Sequence, residues 1–293
     1  QEIGNQRFVW NCILSKSNEQ YETEKKFIFY NEAASMLPEL KDTFNFLSLG
    51  CAQALQQTLR DQDQALRNFL KSKKSNGQFG YPKFKKKGNG GSVRYPQSCF
   101  LDSNRLKIPK LKTHIKIENH QDIQDFNSVT ILKKPSGKWF ASFVVEILDV
   151  EKVQITSESK VVGVDLNSKF FVALDNGQAI ENQKFLQQKE KRLKKYQRRM
   201  SRMVPKSSNR NKQRIKVAKL HEKVANSRKD FVEKISTQVA KTYDIICIED
   251  LNVKAMQQWN GRMVQEAPFR MLREKLTWKA NKFGKHLVVI DRF

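Results

Sequence analysis

The sequence predicts an α+β chain of more than one domain, and three observations carry that reading. The first 72 residues hold a helical hydrophobic period, residues 91–157 read as short strands between turn signals, and from residue 160 onward strands and helices mix. A chain of 293 residues is long enough for two or three domains with at least one sizeable core.

The helical part runs from about residue 5 to residue 72. Within "NFLSLGCAQALQQTLRDQDQALRNFLK", Ala52, Leu55, Leu59, Leu66 and Phe69 recur at spacings of three, four and seven, which predicts one buried helical face. The texture then changes at "KSKKSNGQFGYPKFKKKGNGGSVRYP", where Gly, Ser, Asn, Pro and Lys break any helical period. The reading therefore places a helical domain at 1–72 and a second domain at 73–157.

The second domain reads as strands. Leu111, Thr113, Ile115 and Ile117 alternate with Lys112, His114, Lys116 and Glu118, and "KKPSGKW" predicts a hairpin turn. A small β-barrel or sheet with a basic outer face is expected. The third part, 158–293, begins with "KVVGVDL", "FFVALDNG" and "AIENQ", three successive strands with tight turns at "NSK" and "DNG". A basic helical pair over 184–241 follows, then the strand "YDIICIEDL", a helix in "APFRMLREKLTWKANKFG" and the strand "KHLVVID". Three meandering strands followed by helix, strand, helix, strand is the order of an RNase H type α+β domain.

Composition narrows the partner. The formal charge is +25 and the pI about 9.9, so a densely negative partner is expected, with nucleic acid ahead of membrane. No run of about 18 apolar residues occurs, and the first twenty residues lack a basic segment followed by an apolar one. Cys12, Cys51, Cys99 and Cys247 are scattered without CxxC pairing, so these residues encode neither a disulfide framework nor a zinc site. A soluble protein of a reducing cytoplasm fits. The four histidines have no ligand-like spacing. The chain opens without Met and stops just after an apolar strand-like run, which reads as cut at both ends.

Asp165 lies behind Val161, Val162, Gly163 and Val164, a context in which a carboxylate needs a positive or hydrogen-bonding partner. Glu249 and Asp250 end the run "IICIEDL"; in a strand they point to opposite faces, so one of the two can look toward Asp165. Acids at strand ends also cap helices or pair with bases. Two carboxylates on neighbouring strand ends can instead hold hard cations through oxygen ligands. A pair of such ions about 4 Å apart would clamp the attacking and leaving oxygens of a phosphodiester.

Residues 189–229 carry 17 Lys or Arg against two acids, Glu190 and Glu222. Leu193, Tyr196, Met200 and Met203 form one helical stripe, and Leu220, Val224, Phe231, Ile235 and Val239 form another after the break "VPKSSNRNK". Arg192, Lys195, Arg198, Arg199, Arg202, Arg210 and Arg214 are the candidate phosphate contacts, because such a surface gains affinity by releasing counterions. In "FGYPKFKKKGNGG", Phe79, Tyr81 and Phe84 interleave with Lys83, Lys85, Lys86 and Lys87, a pattern suited to base stacking plus backbone neutralisation and also to a flexible linker. Trp10, Trp139 and Trp278 read as packing residues.

Taken in order, "RFVWNCIL", "GYPKFKKK", "VVGVDLNSKFFVALDNG", the basic helical pair and "IICIEDLNVKAM" resemble the TnpB family, insertion-sequence proteins related to type V CRISPR nucleases. The resemblance covers essentially the whole chain. It implies a helical recognition domain, a β-barrel wedge domain and a RuvC-like nuclease domain, with a guide RNA, a double-stranded DNA target and Mg²⁺-dependent cleavage in the bacterial cytoplasm, at the nucleoid. Base pairing would then carry most of the sequence choice. Asp165 matches the acid of the first RuvC motif and Glu249 that of the second, which makes them the implied catalytic and metal-binding pair; Asp250 then supports or caps. The chain departs from the family at Asn167, where Gly is usual. The family also has a first strand upstream of "RFVWN", and beyond "VVIDRF" a zinc ribbon and a helix with a third acid. Zinc is expected only in that further part. Two other readings compete: an RNA-guided DNA-binding protein without cleavage, and a conventional transposase with an acid triad on an RNase H fold.

Overall fold

The computed structural model describes residues 1–74, 79–88, 90–123, 125–166, 170–250 and 268–291. The "NSK" turn, Asn167 within it, and the end of the motif "IICIEDLNVKAM" past Asp250 lie outside the described residues. The chain is α+β and divides into two compact units, 1–147 and 148–293.

The first unit opens with α1 (Glu2–Glu24), α2 (Tyr30–Ser35), α3 (Leu37–Thr43) and α4 (Ala52–Lys74). Leu55 and Leu59 of α4 meet Val9 and Ile13 of α1 in a core closed by Ala33, Leu37 and Leu40. Gln62 fills the gap in the apolar spacing between Leu59 and Leu66; it is buried, and its amide nitrogen donates to the Trp10 carbonyl (3.3 Å). Ala52, expected on the buried face, is exposed because the helix begins there, and Ala54 is buried instead.

Six strands follow: β1 (Gly91–Tyr95), β2 (Phe100–Asp102), β3 (Arg105–Lys107), β4 (Ile115–Lys116), β5 (Ser128–Lys133) and β6 (Trp139–Val144). Among the described residues they form two antiparallel sheets, ordered β1-β5-β6 and β2-β3-β4, rather than one continuous sheet. Val93, Tyr95, Leu106 and Val129 share a core with Cys51 and Ala54, so the helical and sheet parts of this unit are packed together. The expected hairpin at "KKPSGKW" is present, with the Lys134 N–H donating to the Lys138 carbonyl (2.8 Å) between β5 and β6. Gly90 sits at φ +83°, and a Cβ there would stand 2.3 Å from the Lys133 carbonyl oxygen, so this approach of the chain to β5 admits only glycine.

Two further expectations fail in this unit. Leu111 and Thr113 lie outside any strand, since a turn at Pro109 and the left-handed Lys110 (φ 64°) breaks the alternation before β4. Trp139 is 57% exposed, because β6 is an edge strand and its first residue stands beyond the core.

The second unit is built on a five-stranded sheet of order β11-β10-β7-β8-β9, formed by β7 (Val161–Asp165), β8 (Phe170–Leu174), β9 (Ala179–Glu181), β10 (Ile245–Glu249) and β11 (His286–Ile290). β7, β8 and β9 run antiparallel, while β10 pairs parallel to both β7 and β11. The "DNG" turn closes β8 onto β9, with Gly177 at φ +86° and the Leu174 N–H donating to the Gln178 carbonyl (2.8 Å).

α5 (Phe185–Ser201), α6 (Ser208–Thr242) and α7 (Phe269–Lys282) complete the unit. α6 starts inside the expected break, where the Ser207 hydroxyl caps it by accepting from the Arg210 N–H (3.2 Å). Val162, Val164, Ile246 and Ile248 point to one sheet face, where Val232, Ile235 and Val239 of α6 and Leu272 and Leu276 of α7 cover them. Trp278, expected to pack, is 46% exposed: it stands two residues from Leu276, off the buried stripe, between Lys275 and Lys282.

Between α6 and α7, the buried Lys279 ammonium donates to the Glu233 carbonyl (2.8 Å) and to the Thr237 hydroxyl, and with Lys275 it pairs the Glu233 carboxylate. Burial works to raise the Glu233 carboxyl, but the hydrogen bonds from Lys275 and Lys279 outweigh it and hold the group below the usual range. A carboxylate depressed in the folded state stabilises the fold above its unfolded pKa, and that contribution is lost as pH falls through the lowered value. Glu233→Gln is therefore expected to cost about 1 kcal/mol at neutral pH, the side chain being partly solvated, with the difference vanishing in acid. Urea midpoints of the two proteins at pH 7 and pH 3 check it; an equal gap at both would count against the ion network.

Candidate functional site

Register decides which acids meet. β10 pairs with β7 as Ile245↔Val161 through Ile248↔Val164, so the next residues along the two strands are Glu249 and Asp165, each the last of its strand. Val164 and Ile248 turn to the helices, and side chains alternate, so Asp165 and Glu249 share the opposite face. Neighbouring strands lie about 4.8 Å apart, so the backbone sets the two acids side by side at the strand ends. Asp165 is exposed and Glu249 half-buried.

The far ends of the same strands fix that register. Asp244 accepts from the Lys160 N–H (2.9 Å) and from the Lys285 ammonium (2.6 Å), while its own backbone carbonyl accepts from the His286 N–H (2.9 Å). One residue thereby ties the starts of β7, β10 and β11. The Lys285 hydrogen bond first, and the Lys160 N–H second, hold the Asp244 carboxyl below its ordinary value. On the β8 side, Asp175 accepts from the Gly163 N–H (2.8 Å), two residues before Asp165. Slipping β10 by one residue would break the Asp244 contacts and turn Glu249 to the helix face.

Asp250 goes the other way. Its N–H continues the ladder to the Ile290 carbonyl (3.0 Å), and its carboxylate forms an ion pair with Arg273 of α7. Arg273 carried no signal in the sequence, because its partner lies 23 residues away. Two oxygen-bearing side chains on one face are a donor set for a hard cation, with solvent or phosphate oxygens completing the shell. Among the described residues no group of three or more His, Cys, Asp or Glu is gathered. The four cysteines are free.

The basic candidates fall on two surfaces. On α5, Lys195, Arg198, Arg199 and Arg202 line one open groove with Lys191, Lys194 and Met203. Leu193, Tyr196 and Met200 turn inward against Val217 and Leu220 of α6. Arg192 is exposed but engages Tyr196, donating to its hydroxyl (2.9 Å). Arg210 and Arg214 are half-buried at the start of α6, less open than the α5 row.

In the first unit, the segment 81–87 is held against α1. The Asn11 side chain exchanges hydrogen bonds with the Lys85 backbone (3.0 and 2.8 Å), and the Trp10 indole donates to the Lys83 carbonyl (3.1 Å). Tyr81 packs against Phe27 and Phe69 and bonds Asn18, so its ring is committed to the fold. Phe84 remains 50% exposed beside the exposed Lys83, Lys85, Lys86 and Lys87, with the Lys85 ammonium 3.7 Å from the Trp10 ring centroid. No helix among the described residues is long and apolar enough to cross a membrane.

Comparison with known proteins adds what geometry alone does not. Residues 142–260, which span both strand-end acids, match the IS605 OrfB family model, described as "Probable transposase". The chain is 32% identical over 273 residues to the Escherichia coli K12 protein named "Putative RNA-guided DNA endonuclease InsQ". It is 31% identical over 297 residues to a Streptomyces pristinaespiralis protein named "Putative RNA-guided DNA endonuclease". The alignments take in 92% and 98% of this chain but 66% and 72% of those relatives, so the chain spans about two thirds of their length. Among solved structures, a Cas12f1 chain in complex with sgRNA and target DNA superposes with a TM-score of 0.51 at 13% identity, over 99% of this chain and 73% of that one, a likeness of fold.

Proposed function

The chain belongs to the TnpB family of insertion-sequence proteins, and from that membership we propose that the gene product carrying it is an RNA-guided DNA endonuclease that hydrolyses phosphodiester bonds. One observation supports the chemistry above all others: Asp165 and Glu249 end adjacent parallel strands on one face of the sheet. In this reading residues 158–293 form a RuvC-like domain, 73–157 a wedge domain and 1–72 a recognition domain. The guide RNA and double-stranded DNA are the partners, in the bacterial cytoplasm.

Asp165 and Glu249 would hold Mg²⁺, which when bound polarises the phosphodiester and activates water. The chain's own residues do the rest. The paired strands fix the backbone positions of the two acids, so only their side chains need ordering at binding. The α5 row neutralises backbone phosphates and so positions a strand without reading its sequence, which base pairing with the guide supplies. Phe84, flanked by lysines, offers an apolar edge for an unstacked base.

Purification of the gene product with its co-expressed RNA, followed by incubation with guide-matched and mismatched plasmids in Mg²⁺, tests the reading. Cutting should require the match; equal cutting of both plasmids would sink it. The basic row makes its own prediction. Replacing Arg198, Arg199 and Arg202 together by Ser should weaken binding at all sequences alike and flatten the slope of log affinity against log salt by roughly 2 to 3. An unchanged slope in a filter-binding titration would remove α5 from the interface.

A further inference from the structure

Asp250 is a second carboxylate immediately beside Glu249, and a hard cation distinguishes poorly between two such groups. What separates them is backbone alternation, reinforced by one contact. With its N–H bonded to the Ile290 carbonyl (3.0 Å), Asp250 turns to the helix side of the sheet, where Arg273 of α7 pairs its carboxylate. Arg273 stands next to Leu272, which is fully buried in the core of this unit, and Lys275 and Lys279 of the same helix are pinned to Glu233 of α6. Its guanidinium is thus carried on a braced element.

The pair itself is a poor candidate for a purely stabilising contact. The Arg273 and Asp250 side chains are 39% and 55% exposed, and exposed ion pairs contribute little to stability. Its placement one residue beyond Glu249 is where it can matter.

We propose that Arg273 is a positioning residue for the carboxylate site: by engaging Asp250 on the helix side, it leaves Glu249 as the one carboxylate of the adjacent pair that faces Asp165. The proposal rests on the reading of Asp165 and Glu249 as cation ligands. Without Arg273 the strand end can rotate, and Asp250 competes with Glu249 for the cation at a misplaced position. Removing the competitor then restores the site, which a merely structural salt bridge would not do.

The test measures Mn²⁺ affinity of the full chain by calorimetry, alongside the Mg²⁺ concentration needed for half-maximal cleavage by the full gene product with its RNA. Arg273→Ala should weaken Mn²⁺ binding about tenfold and raise the Mg²⁺ requirement by a similar factor, the size expected for a residue that orients a ligand. The double variant R273A/D250N should recover to within about threefold of the wild type on both readouts. An unchanged affinity in R273A, or a double variant as weak as R273A, overturns the role of Arg273. Affinity indifferent to Asp165→Ala overturns the cation reading beneath it, so the two failures are told apart.

Discussion

Asp165→Ala is expected to lower guide-dependent DNA cleavage at least about a thousandfold, equivalent to about 4 kcal/mol of transition-state stabilisation, while leaving guide and target binding within about twofold. The split follows from where the residue stands. Asp165 ends β7, exposed and outside the hydrophobic core, so its removal opens no cavity in that core. In the proposed function the nucleic acid is held by other surfaces, above all the α5 row, whose Arg198, Arg199 and Arg202 line an open groove. Glu249→Ala should behave alike, and the double variant should be little worse than either, because two groups acting on one ion fail together. Gel-shift and plasmid-cutting assays on the same preparation decide the matter. Cleavage within tenfold of the wild type would remove Asp165 from the site, and loss of binding in step with cleavage would assign it a structural role.

Phe171→Ala should act in the opposite manner, destabilising the second unit by about 3–5 kcal/mol and abolishing binding and cleavage together near the unfolding midpoint. Phe171 lies on β8 fully buried, with Phe231 of α6 at 5.3 Å between ring centroids and Phe269 of α7 at 5.7 Å. Three rings from three elements meet there, and no neighbouring side chain can collapse into the space without moving a helix. Because the chain has two compact units, the loss should be read on the transition of the second unit rather than on a single global midpoint. Trp139→Ala supplies the contrast: a larger side chain is deleted, but from a site 57% exposed at an edge strand, so the midpoint should scarcely move. A shift for Phe171→Ala no larger than that for Trp139→Ala would refute the assigned core.

Much of this was legible along the chain because it depends on local pattern. The helical face of α4, the hairpin at "KKPSGKW", the "DNG" turn and the order of the strands in the second unit are consequences of hydrophobic period and turn chemistry within a few residues. Asp165 and Glu249 could be singled out for the same reason, each being a charge closing an apolar strand. Trp139 and Trp278 were misjudged because an aromatic residue reads as core in any pattern, whereas exposure depends on whether another element arrives to cover it. Leu111 and Thr113 alternated as a strand would, but an alternation without a partner strand is only a possibility.

The amino-acid sequence by itself thus determined most of the elements, the basic segments and the two strand-end acids, since those rest on side-chain period and charge. Only the tertiary structure decided that β10 pairs parallel to β7 in the register that sets Glu249 beside Asp165, that Asp244 pins that register from the other end, and that Arg273 draws Asp250 to the helix side. The physical reason is range. A period of 2 or 3.6 residues is written in neighbours, while a register is a choice among pairings between segments some eighty residues apart, settled by burying one face of both strands under the same helices.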